Sequence, residues 1–204
     1  MANVTYLMSF TAGALLYRES ITVSDLYAEL ADWDAVRTRV IAENRLQTRT
    51  VSAAKRVYRE VSARLQTLTP AEMEILRDGT RAEQGYVLWL AICKRYRFVH
   101  DFAFEVVREK YLRLDFELAY EDFDVFYHAK ADWHPEVESV EASTRAKLRQ
   151  ILFRMMREAE ILSSQDHILP AILTPHLVAA VRQDAPAHLA IFPVSDAELK
   201  GWVL

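Results

Sequence analysis

The sequence contains few of the residues that punctuate folds rich in β-strands. Only 4 glycines and 6 prolines occur among 204 residues, whereas a barrel or sandwich of many short strands needs such residues at its turns. The composition therefore predicts a mainly helical protein. Because 51% of the residues are apolar and 26% are charged, the chain has the balance of one compact globular unit, or of two small ones, and not of a disordered tail.

Cysteine is almost absent. Cys93 is the only one, which excludes an internal disulfide and any zinc or iron–sulfur site built from several cysteines. It lies in the longest apolar run, residues 86–93, which is far shorter than the roughly 20 residues that a membrane span requires. We therefore expect an inert buried thiol, no membrane partner and a reducing cytoplasmic location.

Sequence signatures of catalysis are also missing. The chain has no Walker A loop, no Gly-rich dinucleotide loop, no Gly-x-Ser-x-Gly elbow and no defensible thiol–histidine pair. His128 and Asp132 share a helix face and with His134 could form a metal cluster, but the helix should end near Trp133 and no further ligand is specified. We predict no enzyme activity, no catalytic residue, no metal and no cofactor.

Apolar residues recur at helical spacing along the first half of the chain. They predict amphipathic helices over about 20–33, 34–44 (capped by Asp34) and 50–65. Thr69 with Glu72, and Thr80 with Glu83, have the spacing of capping boxes and predict two more helix starts. The helix that follows Thr80 is apolar nearly all round, so it should lie at the centre of a bundle.

The second half of the chain begins with a strongly acidic segment. Residues 114–142 contain nine acidic residues and one lysine, a net charge of −8. We place a boundary here, which divides the chain into an N-terminal helical bundle (1–114) and a C-terminal helical region with a small β element (115–204). A basic helix is predicted from about 143 to 161, and the alternation over 161–170 predicts a small β-hairpin, a pair that could form a winged-helix-like module.

Positive charge is concentrated in residues 35–65. There, eight cations oppose two glutamates, a net charge of +6, and seven of the eight are arginine, whose planar fork matches phosphate or carboxylate. The basic helix after residue 143 carries a second group. The candidate DNA-binding residues are Arg37, Arg45, Arg49, Lys55, Arg56, Arg59, Arg145, Lys147 and Arg149. The alternative is a solvated helix face, or ion pairs with the acidic segment.

Several short segments carry a resemblance that runs almost from end to end. They are SFTAGALL (9–16), RES (18–20), DWDAVR (32–37), AAKR (53–56), QGYVLWLA (84–91), YEDF (120–123), KADWHPE (130–136) and STRAKLRQ (143–150). In these segments the chain resembles the BrxA family, the small helical component of bacterial BREX phage-exclusion systems.

The resemblance implies a mainly helical fold that is NusB-like in part. It also implies binding to double-stranded DNA and a role in phage defence alongside a methyltransferase, an ATPase and other system proteins. It supplies no residue-level motif for DNA, so the assignment of basic residues rests on charge alone. Two other hypotheses stay open: an adaptor that docks other BREX proteins, and RNA binding by analogy with the NusB-like fold.

Overall fold

Helices dominate the computed structural model, which describes residues 5–203 of the chain. The helices are α1 Tyr17–Leu30, α2 Trp33–Ala42, α3 Val51–Leu65, α4 Pro70–Asp78, α5 Arg81–Arg95, α6 Arg97–Phe102, α7 Glu109–Leu112, α8 Tyr120–Ala131, α9 Pro135–Glu138, α10 Ala142–Glu158, α11 Pro175–Asp184 and α12 Asp196–Val203. A π-helical segment, Ala103–Arg108, joins α6 to α7, and a 3₁₀ helix, Pro186–Ile191, follows α11. The prediction of a mainly helical protein is confirmed.

Local side-chain chemistry sets where several helices begin. The Thr69 hydroxyl accepts a hydrogen bond from the Glu72 N–H at 3.3 Å, while the Glu72 carboxylate accepts one from the Thr69 N–H at 2.8 Å. Thr80 and Glu83 repeat this reciprocal arrangement at the start of α5, so both predicted capping boxes are confirmed. The second helix differs from its prediction, because Asp32 and not Asp34 accepts from the Ala35 N–H at 2.7 Å and α2 begins at Trp33.

The hydrophobic core is built around α5. Residues 85–93 of this helix are all buried, and Trp89 at their centre has no exposed surface. This confirms the central position that its apolar sequence predicts. Buried apolar side chains from both sides of residue 114 belong to one continuous cluster. A division of the chain near residue 114 stays a prediction.

The predicted C-terminal β-hairpin is wrong. Between residues 5 and 203 the structure has no strand, and the 161–170 segment takes part only in two isolated antiparallel bridges, Leu162 with Ile168 and His167 with Glu117. The Ser163 hydroxyl accepts from the N–H groups of Gln165 and His167 at 3.2 and 3.1 Å. These bonds close a tight turn locally, so the alternating pattern does not extend into a ladder.

Asp101 is one of three carboxylates, with Glu136 and Glu158, that accept hydrogen bonds from the segment before α1 and attach it to the bundle. Asp101 accepts hydrogen bonds from the Tyr6 hydroxyl at 2.8 Å and from Arg97 Nε at 2.7 Å, and His100 Nδ1 lies 3.0 Å away. Burial alone would raise the pKa of Asp101, but the bonds from His100, Arg97 and Tyr6 outweigh it and lower the pKa to about 2. The charged form is therefore the one that the fold stabilises.

Asp101→Asn should destabilise the protein by about 2 kcal/mol at neutral pH, as the pKa difference implies. Because the folded-state pKa is depressed, this contribution is complete above the normal pKa of 3.8 and is lost as the pH falls through about 2. The free energies of unfolding of wild type and variant, measured with urea between neutral pH and about pH 2, should converge as the pH falls. Asp25→Asn, on the exposed side of α1, is the control. A difference in unfolding free energy between wild type and Asp101→Asn that stays constant with pH would contradict the prediction.

Candidate nucleic-acid interface

Four cations line one groove between α2 and α3, which we call the basic groove. They are Arg37 on α2 and Lys55, Arg56 and Arg59 on α3, and the groove encloses about 660 Å³. Lys55, Arg56 and Arg59 come together because they lie within about one turn of a helix. All four side chains are exposed, and none forms an ion pair with any residue between 5 and 203.

Aromatic contacts hold the two walls of the basic groove in place. The Tyr58 hydroxyl donates a hydrogen bond to the Trp33 carbonyl oxygen at 2.5 Å and so joins α3 to the start of α2. Burial, reinforced by the nearby Asp34 carboxylate, raises the pKa of Tyr58 and keeps its hydroxyl protonated as the donor. The Trp33 ring, which also lines the groove, stacks on Tyr27 with centroids 4.1 Å apart and an 18° angle between planes.

A second depression, which we call the basic basin, continues from the basic groove. Arg56 and Arg59 line both, and Arg95 at the end of α5 and Lys147 from α10 complete its set of cations around about 580 Å³. Hydroxyl groups of Ser9 and Thr11 add hydrogen-bonding capacity. Cations from four helices, α2, α3, α5 and α10, therefore lie along the groove and the basin together.

The carboxylate that borders the basic basin is compensated from within the protein. Glu60 Oε1 accepts from Arg64 Nε at 2.7 Å and from the Tyr96 hydroxyl at 2.5 Å. Arg64 is only 2% exposed and also donates to the Ala14 carbonyl oxygen at 2.8 Å. Because Arg64 neutralises Glu60, the cations of the basin keep their charge available to a ligand.

The structure brings together five of the nine candidate residues, namely Arg37, Lys55, Arg56, Arg59 and Lys147. Arg45 and Arg49 are exposed on the loop before α3 but line neither the groove nor the basin, and Arg45 lies 3.7 Å from Glu43. Two further arginines of the 35–65 band are paired elsewhere: Arg39 with Glu29 at 2.8 Å, and the buried Arg64 with Glu60.

Two of the three candidate residues on α10, Arg145 and Arg149, contact side chains of the acidic segment. Arg149 forms an ion pair with Asp124 at 2.5 Å and lies over the Tyr120 ring. Arg145 lies over Tyr127, with its guanidinium 3.0 Å from His128 Nε2. The alternative of internal pairing thus applies to Arg149, whereas Lys147, on the other side of the helix, forms no ion pair within residues 5–203.

Sequence reasoning did not single out Arg95, Trp33 or Asp34, which all line this surface. Arg95 ends a helix that is otherwise apolar, and the basic pair Lys94-Arg95 after that run was the available signal. Its approach to α3 and α10 is a tertiary contact that no local spacing indicates.

The described part of the chain offers neither a metal site nor a membrane-spanning helix. Residues 5–203 contain no group of three or more His, Cys, Asp or Glu side chains placed to hold a metal ion, so His128, Asp132 and His134 do not form one. Over the same residues, every helix is too short or too polar to pass through a lipid bilayer.

Comparison with known proteins was made for sequence and for structure. A family model described as BrxA matches residues 4–185. A BREX protein BrxA from Escherichia coli O9:H4 (strain HS) is 26% identical over 147 residues, which cover 72% of this chain and 69% of that protein. One from Bacillus cereus (strain H3081.97), also called BREX protein BrxA, is 28% identical over 160 residues, or 78% of this chain and 80% of that one.

The fold recurs in a solved structure. The crystal structure of an uncharacterized protein from Magnetospirillum magneticum superposes with a TM-score of 0.81 and 22% sequence identity, covering 93% of this chain and 98% of the other. The likeness extends the helical architecture to a protein of distant sequence and carries no information on activity.

Proposed function

The chain belongs to the BrxA family, and from this premise we propose that it is a non-enzymatic accessory protein of a BREX phage-defence system that binds double-stranded DNA through the phosphate backbone. The methyltransferase and ATPase of such a system are its proposed partners, and the cytoplasm its proposed location. The NusB-like character of the helical part is proposed from the resemblance alone.

One observation carries the proposal of DNA binding: the basic groove and the basic basin share a set of cations that form no ion pair with any residue between 5 and 203. Its members are Arg37, Lys55, Arg56, Arg59, Arg95 and Lys147. The chain as a whole has a net charge of −4, so these cations form a local positive field on an acidic protein, which attracts a polyanion to that surface.

The character of these contacts favours binding with little sequence selectivity. Arginine and lysine side chains on a shallow surface reach phosphate oxygens, which are the same for every base pair. Selective recognition in a major groove usually relies on a helix or β-ribbon with several side chains free to contact base edges. On α10, the helix that sequence reasoning considered for this role, Arg149, Arg154 and Arg157 are each paired with a carboxylate.

The dependence of affinity on salt tests the proposal. If six phosphates are neutralised, the logarithm of the association constant should fall against the logarithm of salt concentration with a slope of about −5. The slope is measured by fluorescence anisotropy on two duplexes of unrelated sequence, which should bind with similar affinity. Binding that disappears at physiological salt would contradict the proposal and favour the adaptor hypothesis.

The adaptor hypothesis has one specific observation in its favour. Trp133 and Val125, in the acidic segment, are 81% and 72% exposed. Glu121 and Asp132 are exposed on the same helical segment and form no ion pair within residues 5–203. An exposed tryptophan among carboxylates is a feature of protein docking surfaces more than of DNA-binding ones.

A further inference from the structure

The basic groove contains more than a phosphate-binding surface needs. Besides its four cations, Trp33 and Asp34 also line it. Resting on the proposed DNA binding, we propose that this groove accepts a nucleotide whose base is unpaired, with the base on Trp33 and the flanking phosphates on Lys55, Arg56 and Arg59. The protein then prefers DNA with an unpaired base over an uninterrupted duplex.

Trp33 has the properties of a stacking platform. Its ring is half-buried, backed by Tyr27 at 4.1 Å, and anchored through its carbonyl oxygen to the Tyr58 hydroxyl. Its position is therefore set before any ligand arrives, which reduces the entropy lost on binding. In a regular duplex the bases are stacked inside the helix and an aromatic side chain on the backbone side cannot reach them, whereas an unpaired base can stack on it.

Asp34 provides a second argument for a nucleotide with an unpaired base as the ligand. It is the only carboxylate that lines the basic groove, and its side chain forms no ion pair with any described residue despite four cations in that groove. A carboxylate repels phosphate, so its presence weakens binding to a backbone alone. It can, however, accept a hydrogen bond from an exocyclic amino group such as cytosine N4.

The dimensions of the groove agree with this assignment. Its volume of about 660 Å³ lies within the range of pockets that take small molecules, about 300–1,000 Å³. An aromatic ring, a hydrogen-bond acceptor and several cations match the three chemical parts of a nucleotide: a flat base, an amino group and phosphates.

Fluorescence anisotropy with three short DNAs tests the inference. One is a blunt duplex, one carries a single unpaired cytosine, and one carries a single unpaired thymine, which lacks an exocyclic amino group. Wild type should bind the cytosine DNA about tenfold more tightly than the blunt duplex, from the contribution of one stacked base. Trp33→Ala should bring the ratio of these two affinities close to one, and Trp33→Phe, which retains a ring against Tyr27, should preserve most of it.

Asp34→Asn should reduce the preference for unpaired cytosine over unpaired thymine. Trp133→Ala removes an exposed indole outside the groove and should leave every ratio unchanged. Equal binding of blunt and unpaired DNA by wild type would overturn the inference while leaving the proposed function intact; no binding of either would overturn the proposed function itself. Free dCMP is added as a competitor. If it displaces the cytosine DNA at concentrations close to the Kd for that DNA, the ligand is a free nucleotide and the inference that the groove takes an unpaired base within a DNA strand is overturned.

Discussion

Exchange of Lys55 and Arg59 for glutamate is expected to abolish a gel shift with duplex DNA at physiological salt. The two side chains lie four residues apart on α3, both are exposed and both line the basic groove. The double substitution removes two phosphate contacts and places two anions, together with Asp34, where phosphates would lie. We expect a loss of affinity on the order of 100-fold or more, as the electrostatic contribution of such contacts indicates.

This variant should keep its fold, because lysine, arginine and glutamate have similar helix propensities and neither residue is buried. Circular dichroism and thermal unfolding check this point. The matched control is Arg113→Glu with Arg182→Glu, which makes the same change in net charge at exposed positions outside the groove and the basin. A shift that survives in the α3 variant, or an equal loss in the control, would remove the basic groove from consideration as the site.

Lys94→Ala should cause the largest loss of stability among single substitutions of charged residues in α5. Its side chain is 6% exposed, and its ammonium group lies 2.6 Å from Glu72, whose side chain has no exposed surface, and 2.7 Å from Asp184. Removal of the cation leaves the Glu72 carboxylate buried without its partner. The expected cost is about 3–5 kcal/mol in the free energy of unfolding, or roughly 10 °C in Tm.

A double variant separates this explanation from a simple loss of packing. Lys94→Met with Glu72→Met removes both charges at similar volume, and should be less destabilised than Lys94→Ala although the cap on Thr69 is also lost. Arg154→Ala breaks an exposed pair with Glu158 and should cost less than about 1 kcal/mol. Urea unfolding provides the free energies of unfolding of wild type and of these three variants. A double variant that is less stable than the single one would refute the buried-charge account.

Features with a local cause could be predicted from the sequence. The capping boxes at Thr69 and Thr80 involve residues three apart, and the burial of α5 follows from its own apolar composition. The concentration of charge on α3 is equally local. These predictions succeed because the energies involved come from neighbouring residues in the chain.

Features that depend on contacts between distant residues could not be predicted. Nothing in the sequence pairs Arg149 with Asp124, which are 25 positions apart, or brings Lys147 beside Arg59. The 161–170 alternation failed for a related reason: a strand needs a partner over several residues, and among residues 5–203 that segment forms only the isolated bridges Leu162 with Ile168 and His167 with Glu117. The alternation of apolar and polar residues along one segment does not show whether a second strand is present to pair with it.

Arg64 shows that the positive charge of a surface can depend on a buried group that a ligand in solution does not contact. It is 2% exposed and does not line the basic basin, but it pairs with the Glu60 carboxylate, which does and which would otherwise compete for Arg56 and Arg59. It therefore acts as an internal counter-ion, and the outward field depends on it as much as on the visible cations. A comparison of family members restricted to solvent-facing positive residues would overlook this position, although a neutral residue there would reverse part of the local potential.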